Sequence, residues 1–167
     1  MADRRVNMLY PLVIACLVAV IVITVYFCCF NSLTTVLVVR HAEKAETPAD
    51  NPPLTSQGQA RAEALVDVVR DAGVGAIYAT EFCRTTQTAQ PLALNLSLPV
   101  NVQQNTLGGD QLAGCNPAIT ATVDLLPADI GTIPELVDHV LGNHRGKIIL
   151  IAGHSNTVPQ IVEELGA

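Results

Sequence analysis

Short runs of branched apolar residues alternate along this chain with segments in which apolar residues recur every three or four positions. The first short run, residues 36–39, is rich in valine, and the last, residues 148–152, is of the same kind. Such runs are typical of parallel strands that are buried on both faces. The pattern predicts an α/β fold, a three-layer α/β/α sandwich with a mostly parallel sheet.

The intervening segments carry the start and stop signals of helices. One helix is predicted from Thr55 or Ser56, with a capping-box pattern that Gln59 completes, to Gly73. A second should begin with the capping box 132–135, and a last one is expected to begin at a Thr157 cap.

Between these helices, residues 76–79 predict a further short strand. Thr80 is expected to cap the helix that follows it, with Glu81 and Arg84 in the first turn. Residues 98–102 predict an edge strand, because proline is tolerated there. The long segment 103–131 is weakly periodic, so we expect it to be a loop that acts as a lid and specificity element.

Polar residues stand where the first and last apolar runs end. Arg40 and His41 follow the first run, and His154 follows the last. Unpaired charge is costly in a core, so the first strand should stop near residue 39. Since ligands of open α/β sheets bind at the carboxyl ends of the strands, both imidazoles are expected at one sheet edge.

Four sequence elements, in this order, resemble the histidine phosphatase superfamily, the phosphoglycerate-mutase-like proteins. They are Arg40-His41, the segment 54–60, the segment 78–89 with Arg84, and residues 153–155 with His154. The resemblance covers the chain from about Thr35 to its end and favours the phosphohistidine-phosphatase-like branch. It implies the same α/β/α fold.

The chemistry of these residues fits phosphoryl transfer. Arg40 and Arg84 offer planar, permanently charged donors that suit a phosphate, with His154 as a third donor. An imidazole has a pKa near neutrality and can attack phosphorus, and on this ground alone the two histidines could exchange roles. The resemblance implies that His41 is the nucleophile and forms a phosphohistidine that water hydrolyses. No metal or cofactor is expected, because the arginines carry the charge.

A general acid for the leaving group is harder to identify. Some branches of the family have an aspartate directly after the second histidine, where this chain has Ser155. Glu81 is the candidate, with Glu43 and Asp110 as others. Without such an acid, substrates with good leaving groups are favoured, such as phosphohistidine or an acyl phosphate.

Three functions follow from this reading. The first is a phosphatase acting on a small phosphorylated substrate or on phosphohistidine. The alternatives are a phosphomutase of the same fold and a non-catalytic phosphate-binding module. The chain carries 9 Lys and Arg against 15 Asp and Glu, a net charge of −6 at pH 7. This acidic balance argues against a nucleic-acid partner, which requires a basic surface.

Residues 8–30 contain no charge and are rich in Val, Ile, Leu and Ala. The run is longer than the core of a cleaved signal peptide and has no polar face, so residues 1–30 are predicted to be a signal anchor with one transmembrane helix. Arg4 and Arg5 precede the run and place the amino terminus in the cytoplasm. The domain 31–167 would then be extracytoplasmic and close to the membrane.

Two features of the domain stay open. Cys83 and Cys115 would be able to pair in an oxidising compartment, but connectivity cannot be read from a sequence. Members of the family usually continue past the last helix into a final strand, whereas this chain stops at Ala167. The domain is therefore expected either to lack an edge strand or to be truncated at its carboxyl end.

Overall fold

The computed structural model describes residues 3–30, 33–104 and 112–167. The chain divides into two compact units, Met1–Leu33 and Thr34–Ala167. The first unit holds helix α1, Asp3–Phe30. The strands of the second unit are β1 Thr35–Arg40, β2 Val74–Thr80, β3 Val100–Gln103, β4 Val123–Leu125 and β5 Ile148–Gly153. Its helices are α2 Ser56–Val69, α3 Cys83–Leu96, α4 Ile133–Asn143 and α5 Thr157–Glu164, with a 3₁₀ turn at Arg70–Ala72.

The five strands described form one sheet in the order β1-β5-β2-β3-β4. All neighbouring pairs are parallel, as the apolar runs predict. Strand β5 lies between β1 and β2, and its register pairs Arg40 with Gly153 and Ala79 with Ala152. The carboxyl ends of β1, β5 and β2 therefore lie side by side.

Helices cover both faces of this sheet. Alternate residues of β5 point to opposite sides, so that Leu150 packs with α2 and α3 while Ile149 packs with α4 and α5. Both side chains are fully buried. The three-layer α/β/α arrangement predicted from the sequence is confirmed.

The ends of the helices differ in part from the expected ones. Thr132 and Glu135 form the predicted capping box of α4. The cap of α2 is Thr55, whose hydroxyl accepts a hydrogen bond from the Gly58 N–H at 3.0 Å. Thr80 does not cap α3: it is the last residue of β2, and its hydroxyl lies in the core instead.

Two further expectations need correction. Asn156, not Thr157, is the residue that precedes α5. Strand β4 lies within the segment 103–131 that was expected to be a loop. This strand is short and mostly exposed, so it carries little of the apolar periodicity by which a strand is recognised. Residues 105–111 of that segment lie outside the described part of the chain.

The prediction of a transmembrane helix is wrong. Among the described residues, no helix is both long enough and apolar enough to cross a bilayer. The single-pass membrane location, the extracytoplasmic placement and the membrane partner that were derived from this helix are corrected with it.

Gly58 allows the start of α2 to approach the chain that follows β1. A Cβ atom at Gly58 would overlap the backbone carbonyl of Glu43. A hydrogen bond from the Thr55 N–H to the Glu43 carbonyl, at 2.8 Å, holds the same segment after β1. Glu43 is only two residues after His41, so this contact fixes the backbone next to the predicted nucleophile.

Replacing Gly58 by Ala should therefore destabilise the protein. The new methyl group meets backbone, which cannot move aside as a flexible side chain can, and overpacking of this kind costs about 1–3 kcal/mol. Chemical denaturation of the full chain measures the loss.

Gly142→Ala is the matched control, because Gly142 lies in α4 with no atom near the position of its Cβ. That change should be neutral or stabilising by up to about 1 kcal/mol. Equal stability of Gly58→Ala and the unmodified protein would contradict the proposed close contact.

Candidate active site

The pairing of β1 with β5 brings His41 and His154 together. The ladder continues one residue beyond β1, with the His41 N–H donating to the Gly153 carbonyl at 2.9 Å. The two imidazole rings pack edge to face with their centroids 5.5 Å apart. The two histidines that the sequence places at strand ends thus meet at one sheet edge.

The His41 ring has one nitrogen engaged by the backbone. Nδ1 lies 2.7 Å from the Ala42 carbonyl oxygen. A carbonyl oxygen only accepts hydrogen bonds, so Nδ1 carries the hydrogen and the neutral ring has its lone pair on Nε2. Burial lowers the pKa of His41 below its ordinary value, the hydrogen bond to Ala42 acts in the opposite direction, and the positive charges of Arg84, Arg40 and Lys44 lower this pKa further.

His154 is more enclosed than His41. Its side chain lies against β2, where Nε2 is 2.9 Å from the Thr80 hydroxyl oxygen, and its backbone N–H donates to the Thr157 hydroxyl at 2.8 Å. Burial lowers the pKa of His154 to about 4, and the charges of Arg84, His41 and Arg40 act in the same direction. The imidazole is therefore neutral at physiological pH when no anion is bound.

Phe82 connects His154 to Arg84. The Phe82 ring packs edge to face on His154 with centroids 5.2 Å apart, and the guanidinium carbon of Arg84 lies 4.4 Å from the centroid of the same ring. This cation–π contact fixes the direction of a long and otherwise mobile side chain. Burial lowers the pKa of Arg84, but the guanidinium stays charged at any physiological pH.

Arg40 is exposed at the end of β1. It borders, with His41, a cavity of about 330 Å³ that is also lined by Lys44 and Arg61. Arg84 and His154 are not among the residues that line this cavity. Arg84 comes from the helix that follows β2, and His154 comes directly after β5. The positive charges of Arg40 and Arg84 act on both imidazoles, since each charge lowers the pKa of both rings.

Thr88 connects the backbone after β1 to helix α3. Its hydroxyl accepts a hydrogen bond from the Ala42 N–H at 3.0 Å and donates one to the Arg84 carbonyl at 2.7 Å. The backbone next to His41 is thereby fixed to the helix that carries Arg84. Thr88 is one of several threonines at the start of α3 that are buried.

The three candidates for the general acid lie in different environments. Glu81 is buried, directly after β2. Glu43 pairs with Arg61, whose Nε donates to Oε2 at 3.0 Å. A hydrogen bond from its own backbone N–H, followed by the one from Arg61, lowers the pKa of Glu43. Asp110 lies outside the described residues.

Two other residues in the first turns of α3 attach neighbouring loops to this helix. Cys83 forms a disulfide with Cys115, which resolves the question that the sequence left open. Gln87 accepts from the Leu54 N–H at 2.7 Å and donates to the Pro117 carbonyl at 2.6 Å. The segment after residue 111 is thus attached beside Arg84.

The comparisons with known proteins agree with this geometry. The family model of the histidine phosphatase superfamily (branch 1) matches residues 36–106. Over these residues the chain resembles the histidine phosphatase superfamily. The matched segment contains Arg40, His41 and Arg84, whereas His154 lies beyond it.

Solved structures of histidine phosphatase fold resemble this chain at low sequence identity. A candidate phosphohistidine phosphatase SixA from Nakamurella multipartitia is 21% identical, with a TM-score of 0.50 over 77% of this chain and 63% of that one. A candidate SixA from Agrobacterium tumefaciens is 19% identical, with a TM-score of 0.50 over 79% and 77%. A phosphoserine phosphatase from Entamoeba histolytica, in complex with 3-phosphoglyceric acid, is 16% identical, with a TM-score of 0.52 over 80% of each chain.

These likenesses establish the fold. The chain spans less than two thirds of the length of the Nakamurella protein. Substrates of the relatives are therefore a matter for proposal.

Sequence reasoning missed the residues that support the predicted ones. Phe82 lay inside a recognised motif, yet nothing in its type indicated a contact with both His154 and Arg84. The density of threonines from Thr80 to Thr88 was the available signal, because hydroxyls at a strand-to-helix junction bond to nearby polar groups.

Breaking the disulfide by Cys115→Ser should lower the stability of the protein. The bond closes a loop with a sequence separation of 32 residues, for which the chain-entropy model gives about 3–4 kcal/mol. Denaturant unfolding under non-reducing conditions measures the difference.

Cys16→Ser is the control, since Cys16 is an exposed free thiol that should tolerate the change. If Cys115→Ser and the unmodified protein unfolded at the same denaturant concentration, the disulfide would have no stabilising role.

Proposed function

We propose that this domain is a phosphatase in which His41 is the nucleophile. Nε2 of His41 attacks the phosphorus of a small phosphorylated substrate or of a phosphohistidine, the bond from phosphorus to the leaving group breaks, and a phosphohistidine forms on His41. Water then attacks this phosphorus and releases phosphate. The observation that carries the proposal is the hydrogen bond from Nδ1 to the Ala42 carbonyl, which leaves the lone pair on Nε2.

The surroundings of the two rings support His41 rather than His154 as the nucleophile. Nε2 of His154, the nitrogen at the outer end of that ring, is occupied by the Thr80 hydroxyl at 2.9 Å. The Nε2 atom of His41 is at the outer end of its ring, where an in-line approach to phosphorus is least hindered. The exchange of roles that the residue types allow is therefore disfavoured.

Arg40 and Arg84 would stabilise the transferring group. Phosphoryl transfer depends mainly on positioning and on neutralising the charge of the equatorial oxygens, and two guanidinium groups offer paired donors for this purpose. Their charges already depress the pKa of both imidazoles, so an anion that binds between them relieves an existing repulsion.

Of the candidate general acids, Glu43 is unsuited to protonate the leaving group. Glu43 is held as a carboxylate by Arg61, and a carboxylate so paired is a poor proton donor. This favours phosphohistidine and acyl phosphates, and it accords with the SixA-like neighbours. The Entamoeba neighbour, which binds 3-phosphoglyceric acid, supports small phosphate monoesters as the wider class.

Replacing His41 by Ala should reduce turnover by at least about a thousandfold, because the attacking atom is lost. The experiment uses the full chain with p-nitrophenyl phosphate, acetyl phosphate, phosphoserine, 3-phosphoglycerate and a phosphohistidine peptide. The unmodified protein should also acquire an acid-labile label from a radioactive phosphoryl donor, and His41→Ala should not.

His139→Ala is the matched histidine control. His139 lies on α4, where it contacts Tyr78, and its removal should leave turnover and labelling intact. Turnover by His41→Ala near the level of the unmodified protein would refute the proposed nucleophile. Isomer exchange of phosphoglycerate would indicate a mutase, and tight phosphate binding without hydrolysis of any substrate would indicate a binding module.

The pH profile gives a second test. Neutral His41 is the attacking form, so kcat/KM should rise with pH through the pKa of His41, and this acid limb should lie below pH 6.5 because that pKa is lowered. Lys44→Gln removes one of the charges that lower it, so the limb should move to higher pH.

Lys147→Gln is the control for the loss of a positive charge. Its charge acts on His144 and not on the site, so the limb should stay in place. Using one substrate for all three proteins cancels the titration of the substrate itself. Identical limbs for Lys44→Gln and the unmodified protein would contradict the assignment of this limb to His41.

A further inference from the structure

Two buried hydroxyl groups connect helix α3 to His154. Thr85, in the first turn of α3, is fully buried, and its Oγ1 lies 2.7 Å from the Oγ1 of Thr80 at the end of β2. Thr80 Oγ1 is in turn 2.9 Å from Nε2 of His154. Each hydroxyl has a single hydrogen to donate, so the direction of this short chain can be worked out from its far end.

At the far end of this chain of hydroxyls, backbone carbonyls determine the direction in which the Thr85 hydroxyl donates. Thr85 Oγ1 lies 2.9 Å from the Phe82 carbonyl oxygen and 3.1 Å from the Thr80 carbonyl oxygen. Carbonyl oxygens cannot donate, so the hydrogen in these contacts is that of the Thr85 hydroxyl. Donation to the carbonyl three residues earlier is a common arrangement for threonine at the start of a helix.

The direction of the other two hydrogen bonds follows. The direction that makes a hydrogen bond of every one of these contacts has the Thr85 hydrogen on a carbonyl, so the contact between the two hydroxyls takes its hydrogen from Thr80. Thr80 then has none left, so the hydrogen between Thr80 and His154 belongs to Nε2 of the imidazole. A neutral imidazole carries only one N–H, which leaves Nδ1 of His154 as a bare lone pair.

We propose that Thr85 is a positioning residue which, acting through Thr80, holds neutral His154 in its Nε2–H tautomer and so makes Nδ1 the nitrogen that meets the phosphoryl group. This inference rests on the proposed function for the role of His154. His41 has the opposite tautomer, with the hydrogen on Nδ1 and the lone pair on Nε2. The two rings at one sheet edge are thus prepared for different tasks.

The tautomer determines how His154 interacts with an anion. A bare Nδ1 cannot donate to a phosphoryl oxygen, so the hydrogen between the two atoms has to be brought by the ligand as a P–OH group or taken up from solvent. Burial and the charges of Arg84, His41 and Arg40, the groups that face His154 from α3 and from the end of β1, keep the ring neutral until the anion arrives. Binding of phosphate should therefore place a proton on Nδ1.

The tautomer of His154 can be measured directly. The full chain is labelled with ¹⁵N-histidine, and long-range ¹H–¹⁵N correlation spectra at pH 7 without phosphate distinguish a protonated from a bare ring nitrogen. The His154 signals are those lost in His154→Gln. We expect Nε2 to carry the hydrogen and Nδ1 to be bare, and addition of inorganic phosphate should move the Nδ1 signal toward that of a protonated nitrogen.

Variants of Thr85 test its part in this arrangement. In Thr85→Val the hydroxyl is replaced by a methyl group of similar size, so the Thr80 hydrogen is free to turn to Nε2 and the ring should change to the Nδ1–H tautomer. Nδ1 then already carries a hydrogen, so addition of inorganic phosphate should no longer change its signal from that of a bare to that of a protonated nitrogen. Thr85→Ser keeps the hydroxyl and should restore both the tautomer and this response to phosphate.

Thr86→Val is the matched control. Thr86 is equally buried and its hydroxyl donates to the Thr80 carbonyl at 3.0 Å, but this hydroxyl makes no hydrogen bond to the Thr80 hydroxyl or to His154. Its tautomer spectrum should equal that of the unmodified protein. Loss of activity in both variants with an unchanged His154 spectrum would mean that the threonines act only on stability.

Two results would overturn the inference: an Nδ1–H tautomer in the unmodified protein, or an unchanged Nε2–H tautomer in Thr85→Val. The first is decisive even if Thr85→Val fails to fold. Both are read without turnover, so they are independent of whether His41→Ala refutes the proposed phosphatase activity.

Discussion

The parallel pairing of β1 with β5 is the constraint from which the site is built. Side chains of both strands are buried in two separate apolar layers, with Leu150 on one side and Ile149 on the other, so the register cannot shift without exposing both sets. One further hydrogen bond, from His41 to the Gly153 carbonyl, extends the ladder beyond β1. That register also places the imidazoles of His41 and His154 next to each other, because each histidine comes directly after its strand.

This edge of the sheet brings together the positive charges of Arg40 and Arg84. Arg40 and Arg84 lower the pKa of both histidines, in addition to the effect of burial. The carboxylate of Glu43 is directed to Arg61. Such an arrangement is unfavourable for the empty protein and favourable for an oxyanion, which is the balance that phosphoryl transfer requires.

Helix α3 holds the site because its faces carry different bonds. Cys83 and Gln87, one turn apart, attach the segment after residue 111 and the chain before α2. Arg84 and Thr88, again one turn apart, reach the Phe82 ring and the backbone beside His41. The glycine at position 58 completes the support, since only a residue without Cβ lets α2 approach that backbone.

The sequence by itself determined the layers of the fold and the strand ends that carry Arg40, His41 and His154, because apolar runs and the polar residues that end them are local properties of the chain. It was wrong about the membrane-spanning helix and about Thr80, which an isolated pattern presents as a helix cap. Only the tertiary structure decided that Cys83 pairs with Cys115, that Phe82 stands between His154 and Arg84, and that the Ala42 carbonyl lies at Nδ1 of His41 and the Thr80 hydroxyl at Nε2 of His154. These depend on contacts between residues far apart in the chain, and the direction of a hydrogen bond is fixed only when every partner is in place.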